Sequence, residues 1–306
     1  MNKKSEVNWL YIISIKEFQS YLELDLLKEI SMVSKLMRGK LKPLLFKSLV
    51  LNLFSIKFDS NAISIAYDNQ KLLSECDYTT LREEYNGDIE DSLNDFYIAI
   101  NDIRKYTKCF HLDNNLNFWY YLYPLINIFD NLTDLQIRRC SIPYKAFINI
   151  GKTLPSLKMI SFDCVYLTKS PTDIISSIDM FFPPNLTCLK IRELKVVTSF
   201  QLSYPYDYLF NRNFSSDYED FTLPKISILS LKRLDYLCWS EQNHIVEDFI
   251  LANPNLDSLL IRCYKLNISS SINSLKSLDI DDNISFNSID QDFKLNSINT
   301  LAIFSL

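Results

Sequence analysis

Glycine is almost missing from this 306-residue chain, which has only Gly39, Gly87 and Gly151. Neither GxGxxG nor GxxxxGKS/T can be assembled from residues so far apart, so a glycine-rich phosphate cradle is excluded. GxSxG fails for the same reason. Histidine is scarcer still. His111 and His244 are the only two, and HExxH surrounds neither. His111 is read as a structural residue in a strand, and His244 as a surface residue of a helix. Seven cysteines occur, an odd number with no CxxC pair, which argues against a disulfide framework or a paired-cysteine zinc site. No cofactor and no catalytic residue is expected. A basic excess is lacking too, because the net charge is −5; a general nucleic-acid binder needs the opposite sign. Long apolar runs are absent. "FWYYLYPLI", 118–126, is far shorter than the ~20 residues of a membrane span and contains Pro124. "MNKKSEVNWL" does not read as a signal peptide. The expectation is a soluble chain of the cytoplasm or nucleus, with no membrane or nucleic-acid partner.

What is present is apolar bulk, 47% of residues with 18 Tyr and 20 Phe, enough for a large core. A phrase also recurs. "NLTDLQI" at 131 returns as "NLTCLKI" at 185, "NLDSLLI" at 255 and "SLKSLDI" at 274. Its form, L-x-x-L-x-L/I, fits a short strand with alternate side chains facing one way. Aligning the central apolar residue puts Leu135, Leu189, Leu229, Leu259, Leu278 and Leu301 in line, joined by Ile160 and Phe110. The first three in chain order, Phe110, Leu135 and Ile160, are 25 residues apart, and the later gaps are 29, 40, 30, 19 and 23. A period of about 20–29 residues marks leucine-rich repeats. The 40-residue gap holds a polar and aromatic segment, 201–221, read as an insertion. Helix-like stretches, "NFWYYLYPLINIF", "YKAFINIGKTL" and "EQNHIVEDFILANP", precede three strands, the last stopping at Asn253-Pro254. The unit is helix, loop, strand, and it buries its apolar face only by stacking. The expected fold is therefore an α/β solenoid over 51–306, with a parallel sheet on the concave face and helices on the convex one. Residues 51–104 read as an imperfect first repeat, a strand in "LVLNLFSIKF" and a helix from Ile89 through Ile100. On the concave face the expected target contacts are Gln136, Arg138, Lys190 and Arg262. The sequence stops in a strand at Leu301 and Ile303, so a longer product or a covered last layer is expected.

Residues 1–50 read as a small helical domain. Trp9, Ile12, Ile13 and Phe18 mark one amphipathic helix, and Leu26, Ile30, Val33 and Met37 form an apolar stripe on a second. Pro43 is placed to open a third. Lys35, Arg38, Lys40, Lys42 and Lys47 form a short basic cluster on a solvated face. Tyr21-Leu22, Asp25-Leu26-Leu27, Val33-Ser34-Lys35, Arg38, Pro43-Leu44-Leu45-Phe46 and Leu49 follow in an order that resembles an F-box. Met37 and Phe46 stand where that family has tryptophan, and Leu10-Tyr11 stands where it has Leu-Pro. The whole chain resembles F-box proteins with C-terminal irregular leucine-rich repeats, of the fungal and protist type.

That resemblance implies the substrate-recognition subunit of a Skp1-cullin-F-box ubiquitin ligase. It implies a Skp1-type adaptor, and a cullin through it, held by Trp9, Leu22, Leu26, Val33, Pro43 and Phe46. A protein target would bind the repeats, and the chain itself would not be an enzyme. The alternative is a leucine-rich-repeat scaffold whose N-terminal helices only cap the sheet. The two differ in whether Leu22, Pro43, Leu45 and Phe46 are open to solvent together or pack on the first strand.

Overall fold

The computed structural model describes residues 12–13, 15–52, 90–91, 93–115, 119–173, 179–198, 218–237, 244–262, 275–281 and 300–304. Its centre is a mixed α/β sheet. Nine parallel strands lie side by side in chain order: β1 Ser48–Asn52, β2 Cys109–Asn115, β3 Asp134–Pro143, β4 Met159–Lys169, β5 Cys188–Thr198, β7 Arg233–Leu237, β8 Ser258–Arg262, β9 Ser277–Asp281 and β10 Thr300–Phe304. A tenth, β6 Tyr218–Asp220, runs antiparallel against the far half of β5. Each of the nine parallel strands pairs, among them, only with the one before and the one after, the topology of a stack and compatible with the expected solenoid.

Register follows from one repeated backbone arrangement. At the entry to each strand a single carbonyl accepts two successive N–H groups from the next one. The Lys108 carbonyl takes Thr133 and Asp134, that of Thr133 takes Lys158 and Met159, and that of Lys158 takes Thr187 and Cys188. The Thr187, Lys232 and Asp257 carbonyls continue the series. The resulting ladder is Leu49–Phe110–Leu135–Ile160–Leu189–Leu234–Leu259–Leu278–Leu301. Two residues on, Leu112, Ile137, Phe162, Ile191, Tyr236 and Ile261 build a second buried row.

One sequence expectation is corrected here. Leu229 is not in the ladder; it is 81% exposed in a turn, and Leu234 takes the place beside Leu189. The two gaps around it are therefore 45 and 25 residues, not 40 and 30. The stretch "ILSLKRLDYL" offers overlapping leucine frames. The bonds from Lys232 and Arg233 N–H to the Thr187 carbonyl select the later one.

The expected helices form. Before β2 lies α4 (93–103). Trp119–Leu122 (α5) continues into a 3-10 turn, Tyr123–Ile128. Tyr144–Ile148 (α6) and Ile150–Thr153 (α7) precede β4, and His244–Ala252 (α8) precedes β8. They and their loops cover one sheet face. Phe147 of α6 stacks edge-on with Phe162 at 5.2 Å and Phe221 at 5.3 Å. Phe221 follows β6, so the end of the 201–221 insertion returns into the core, held by its N–H to the Leu194 carbonyl at 2.9 Å. Asn253 ends α8 and is buried. Its amide donates to the carbonyls of Ile226 (2.8 Å) and Phe249 (2.7 Å), and its oxygen accepts from Ile228 N–H (2.7 Å). It thereby satisfies backbone groups of two repeats at once. Gly151 packs against 181–182, where a Cβ would run into the Phe181 carbonyl and the Phe182 backbone.

β3, β4 and β5 each bend at a residue with left-handed backbone, Arg139 (φ 50°), Cys164 (φ 54°) and Glu193 (φ 51°). These lie one residue beyond the paired Arg138, Asp163 and Arg192, so the bends stack. Each bend leaves two successive residues facing out and then returns Cys140, Val165 or Leu194 to the core. The Cys140 thiol donates to the Arg138 carbonyl at 2.9 Å.

The N-terminal helices are α1 Lys16–Gln19, α2 Leu24–Val33 and α3 Lys35–Leu45. Two expectations fail in them. Pro43 does not open a helix; it sits inside α3. The stripe Leu26, Ile30, Val33, Met37 is not one face, because the chain turns at Ser34, whose hydroxyl caps α3 by accepting from Met37 N–H at 3.1 Å. Leu27, Met37 and Leu41 are buried instead, while Leu26 and Val33 face solvent.

The register assignment is open to test. Leu234→Ala should lower stability by about 2–5 kcal/mol, the range for emptying a core leucine site. Leu229→Ala should change it by no more than about 0.5 kcal/mol. Chemical denaturation of both variants measures this, and equal losses would overturn the register.

Candidate functional site

Strand periodicity divides each repeat in two. Residues flanking the buried ladder point away from the helices and form an open face of polar side chains. Three rows run across it. One carries Cys109, Asp134, Met159, Cys188, Arg233 and Ser258; the next His111, Gln136, Ser161, Lys190, Asp235 and Leu260; the third Asp113, Arg138, Asp163 and Arg192. All four expected target contacts fall here. Gln136 and Lys190 share the middle row, and Arg138 and Arg262 share the third. Arg138 is exposed, and the other three are half-buried.

The face is charged in a patterned way. Asp113, Arg138, Asp163 and Arg192 alternate in sign across four neighbouring strands, and Arg138 Nε lies 3.3 Å from Asp163 Oδ2. The centre is Asp235, only 1% exposed although it stands on the open side. Arg233 grips both its oxygens, Nε to Oδ1 at 2.9 Å and the guanidinium NH2 to Oδ2 at 3.1 Å. Lys190 Nζ stands 3.8 Å from the same carboxylate. The carboxylate holds the Arg233 guanidinium proton more tightly than usual. Asp235 was not singled out from sequence, because the Leu229 frame gave no reason to place it on this row.

Three cysteines line this face, and their surroundings make them poor nucleophiles. Burial first, then the Glu193 carboxylate that its thiol meets at 3.2 Å, push Cys164 up to about 12. Burial and Asp134 raise Cys109; burial and Asp235 raise Cys188. A thiol that stays protonated is neither a metal ligand nor an attacking group at neutral pH. Among the described residues, no three His, Cys, Asp or Glu side chains gather as a metal-binding group.

A second surface lies on the N-terminal helices. Tyr21, Leu24, Met32, Val33 and Leu36 are all exposed, with Met32 and Val33 three-quarters open. Of the expected adaptor contacts, Leu26, Val33 and Pro43 are exposed, while Leu22 and Phe46 are half-buried, as is Leu45. Trp9 lies outside the described residues. Lys42 ties α3 to Asp102 of α4 at 2.5 Å.

An open polar sheet face and an apolar helical surface place the chain among mixed α/β proteins built as a sequential parallel stack. No protein-family model matches the chain, and no curated protein matches it. Among the described residues no helix is long and apolar enough to cross a membrane.

Two outcomes follow from this chemistry. Arg233→Met strands the buried carboxylate and should cost about 2–3 kcal/mol, and adding Asp235→Asn should recover part of that loss, as for a coupled pair. Denaturant midpoints of the single and double variants measure it; simple additivity would refute the coupling. Cys164, protonated until about pH 12, should be alkylated at about pH 8 at least tenfold more slowly than an ordinary exposed thiol. Its rate should still be rising beyond about pH 10, where an ordinary thiolate has levelled off. Peptide mapping of iodoacetamide adducts reads both.

Proposed function

We propose that this chain is a two-surface receptor, in which the N-terminal helices dock on a Skp1-type adaptor and the open sheet face holds a protein target for ubiquitination. The observation that carries the reading is the exposed apolar side of α2 and α3. Nine large apolar side chains between Ile15 and Leu44 face solvent, more than on the whole remainder of the described chain. Scattered exposed leucines need no explanation, but such a concentration on a few short helices favours burial by a partner. Support for the repeats comes from spacing. Leu132, Leu135, Ile137, Cys140 and Ile142 are all buried, and they fit the leucine-rich-repeat phrase L-x-x-L-x-L-x-x-N/C-x-L. Leu157, Ile160, Phe162, Val165 and Leu167 repeat the spacing, with valine at the Asn/Cys position. The receptor breaks no bond. It concentrates the target's lysines near a conjugating enzyme held by the same assembly.

The alternative scaffold draws on one observation. Leu22, Leu45 and Phe46 are half-buried and Lys42 of α3 pairs with Asp102 of α4, which supports a capping role for part of the helical unit. Capping and docking use different sides, since Leu27, Met37 and Leu41 face inward while Val33 and Leu36 do not.

Mixing the purified chain with a purified Skp1-type adaptor tests the proposal. A complex should form, and Val33→Asp with Leu36→Asp should weaken it at least tenfold, because a carboxylate in an apolar contact is desolvated without a partner. Leu229→Asp, at an equally open site on the sheet side, should leave it intact. Failure of the unaltered chain to bind, or binding indifferent to the helix variant, leaves the scaffold reading in place.

A further inference from the structure

The residue two places before each ladder position is the one whose carbonyl takes the paired N–H groups, and it repeats down one rim of the sheet. On β2, β4 and β7 that residue is Lys108, Lys158 and Lys232, and Lys276 holds the equivalent place on β9. These four exposed lysines lie on every second strand in the sheet order, and the exposed Lys47 of the first strand extends the rim one strand beyond Lys108. Thr133 and Thr187 stand between them and turn their hydroxyls onto the carbonyls of Lys108 and Lys158. Asp257 fills the remaining gap and pairs with Lys276 at 3.5 Å. Lys232 donates to the Asn255 carbonyl at 3.3 Å, whereas among the described residues Lys108 and Lys158 have no ion pair. An acidic chain thus displays an ordered row of ammonium groups on the backbone of its forked strand entries.

The spacing of this row specifies a ligand. Strands about 4.8 Å apart place alternate lysines about 9.6 Å apart, over roughly 29 Å in total. A polyproline II segment turns once every three residues with a rise of 3.1 Å, so one face repeats at about 9.3 Å. We propose that this rim binds an extended acidic peptide in polyproline II form, with a carboxylate at every third residue meeting successive lysines. An ordinary strand would present its charges every second residue, about 6.7 Å apart, and would fall out of step. Single-stranded nucleic acid is the poorer fit. It draws on aromatic platforms for stacking, and the rim offers lysine, threonine and aspartate only. None of the rim lysines is among the residues read as adaptor contacts, so this inference does not depend on adaptor docking.

Fluorescence anisotropy with the full chain tests it, using a labelled peptide of about twelve residues that repeats Glu-Pro-Pro. The spaced peptide should bind at least tenfold more tightly than one of the same composition with all glutamates clustered at one end. Binding should weaken with added salt. Lys108→Glu with Lys158→Glu should reduce it at least tenfold. Lys145→Glu with Lys152→Glu, exposed lysines of α6 and α7 away from the rim, should not. Thermal melting checks that the variants stay folded, and Lys→Gln at the same two rim positions replaces any that do not. The proposal is overturned by no binding, by equal binding of spaced and clustered peptides, by indifference to the rim variants, or by tighter rim-dependent binding of a single-stranded oligonucleotide of equal charge.

Discussion

Everything in this molecule hangs on the forked hydrogen bond at the strand entries. One carbonyl fixes two amides of the next repeat, and that fork recurs from Lys47 to Asp257. Because a strand's side chains alternate, a slip of one residue would turn the whole ladder of leucines to solvent and bring charged neighbours inside. The fork forbids the slip. It operates through main-chain atoms, so it tolerates lysine, threonine or aspartate at the same place. That freedom is why the rim can carry a charge pattern of its own without disturbing the core beneath it.

Much of this was legible in the residues. The 25-residue spacing of Phe110, Leu135 and Ile160 reappears as strand register, and three stretches read as helix are helical. Legibility failed where leucines are too abundant to choose among. Around 226–237 Leu229 fits the phrase better on paper, with Leu231 two places on, whereas Leu234 is followed there by Tyr236, and a bond to a carbonyl 45 residues earlier selects Leu234. The N-terminal helices failed for a related reason. The stripe from Leu26 to Met37 is periodic on paper, yet Ser34 offers a cap in its middle and the chain takes it. Local capping outweighed periodicity because each half-helix then buries its own residues, Leu27 on one and Met37 and Leu41 on the other.

The candidate surfaces divide in the same way. Period-two alternation alone placed Gln136, Arg138, Lys190 and Arg262 on the open side. Asp235 escaped notice, since its importance comes from two cations on β5 and β7 that converge only after register is known. The acidic neighbours of Cys109, Cys164 and Cys188 were equally invisible. Asp134 and Glu193 reach those thiols across a strand boundary, from 25 and 29 residues away.

The stacked bends at Arg139, Cys164 and Glu193 carry a different lesson. Glycine is the residue that adopts left-handed backbone freely, and side chains there cost on the order of 1 kcal/mol each. This chain, with three glycines in all, places an arginine, a thiol and a carboxylate there instead. Each bend therefore shows a functional group to the outside where glycine would show none, and the melting temperature is lower for it.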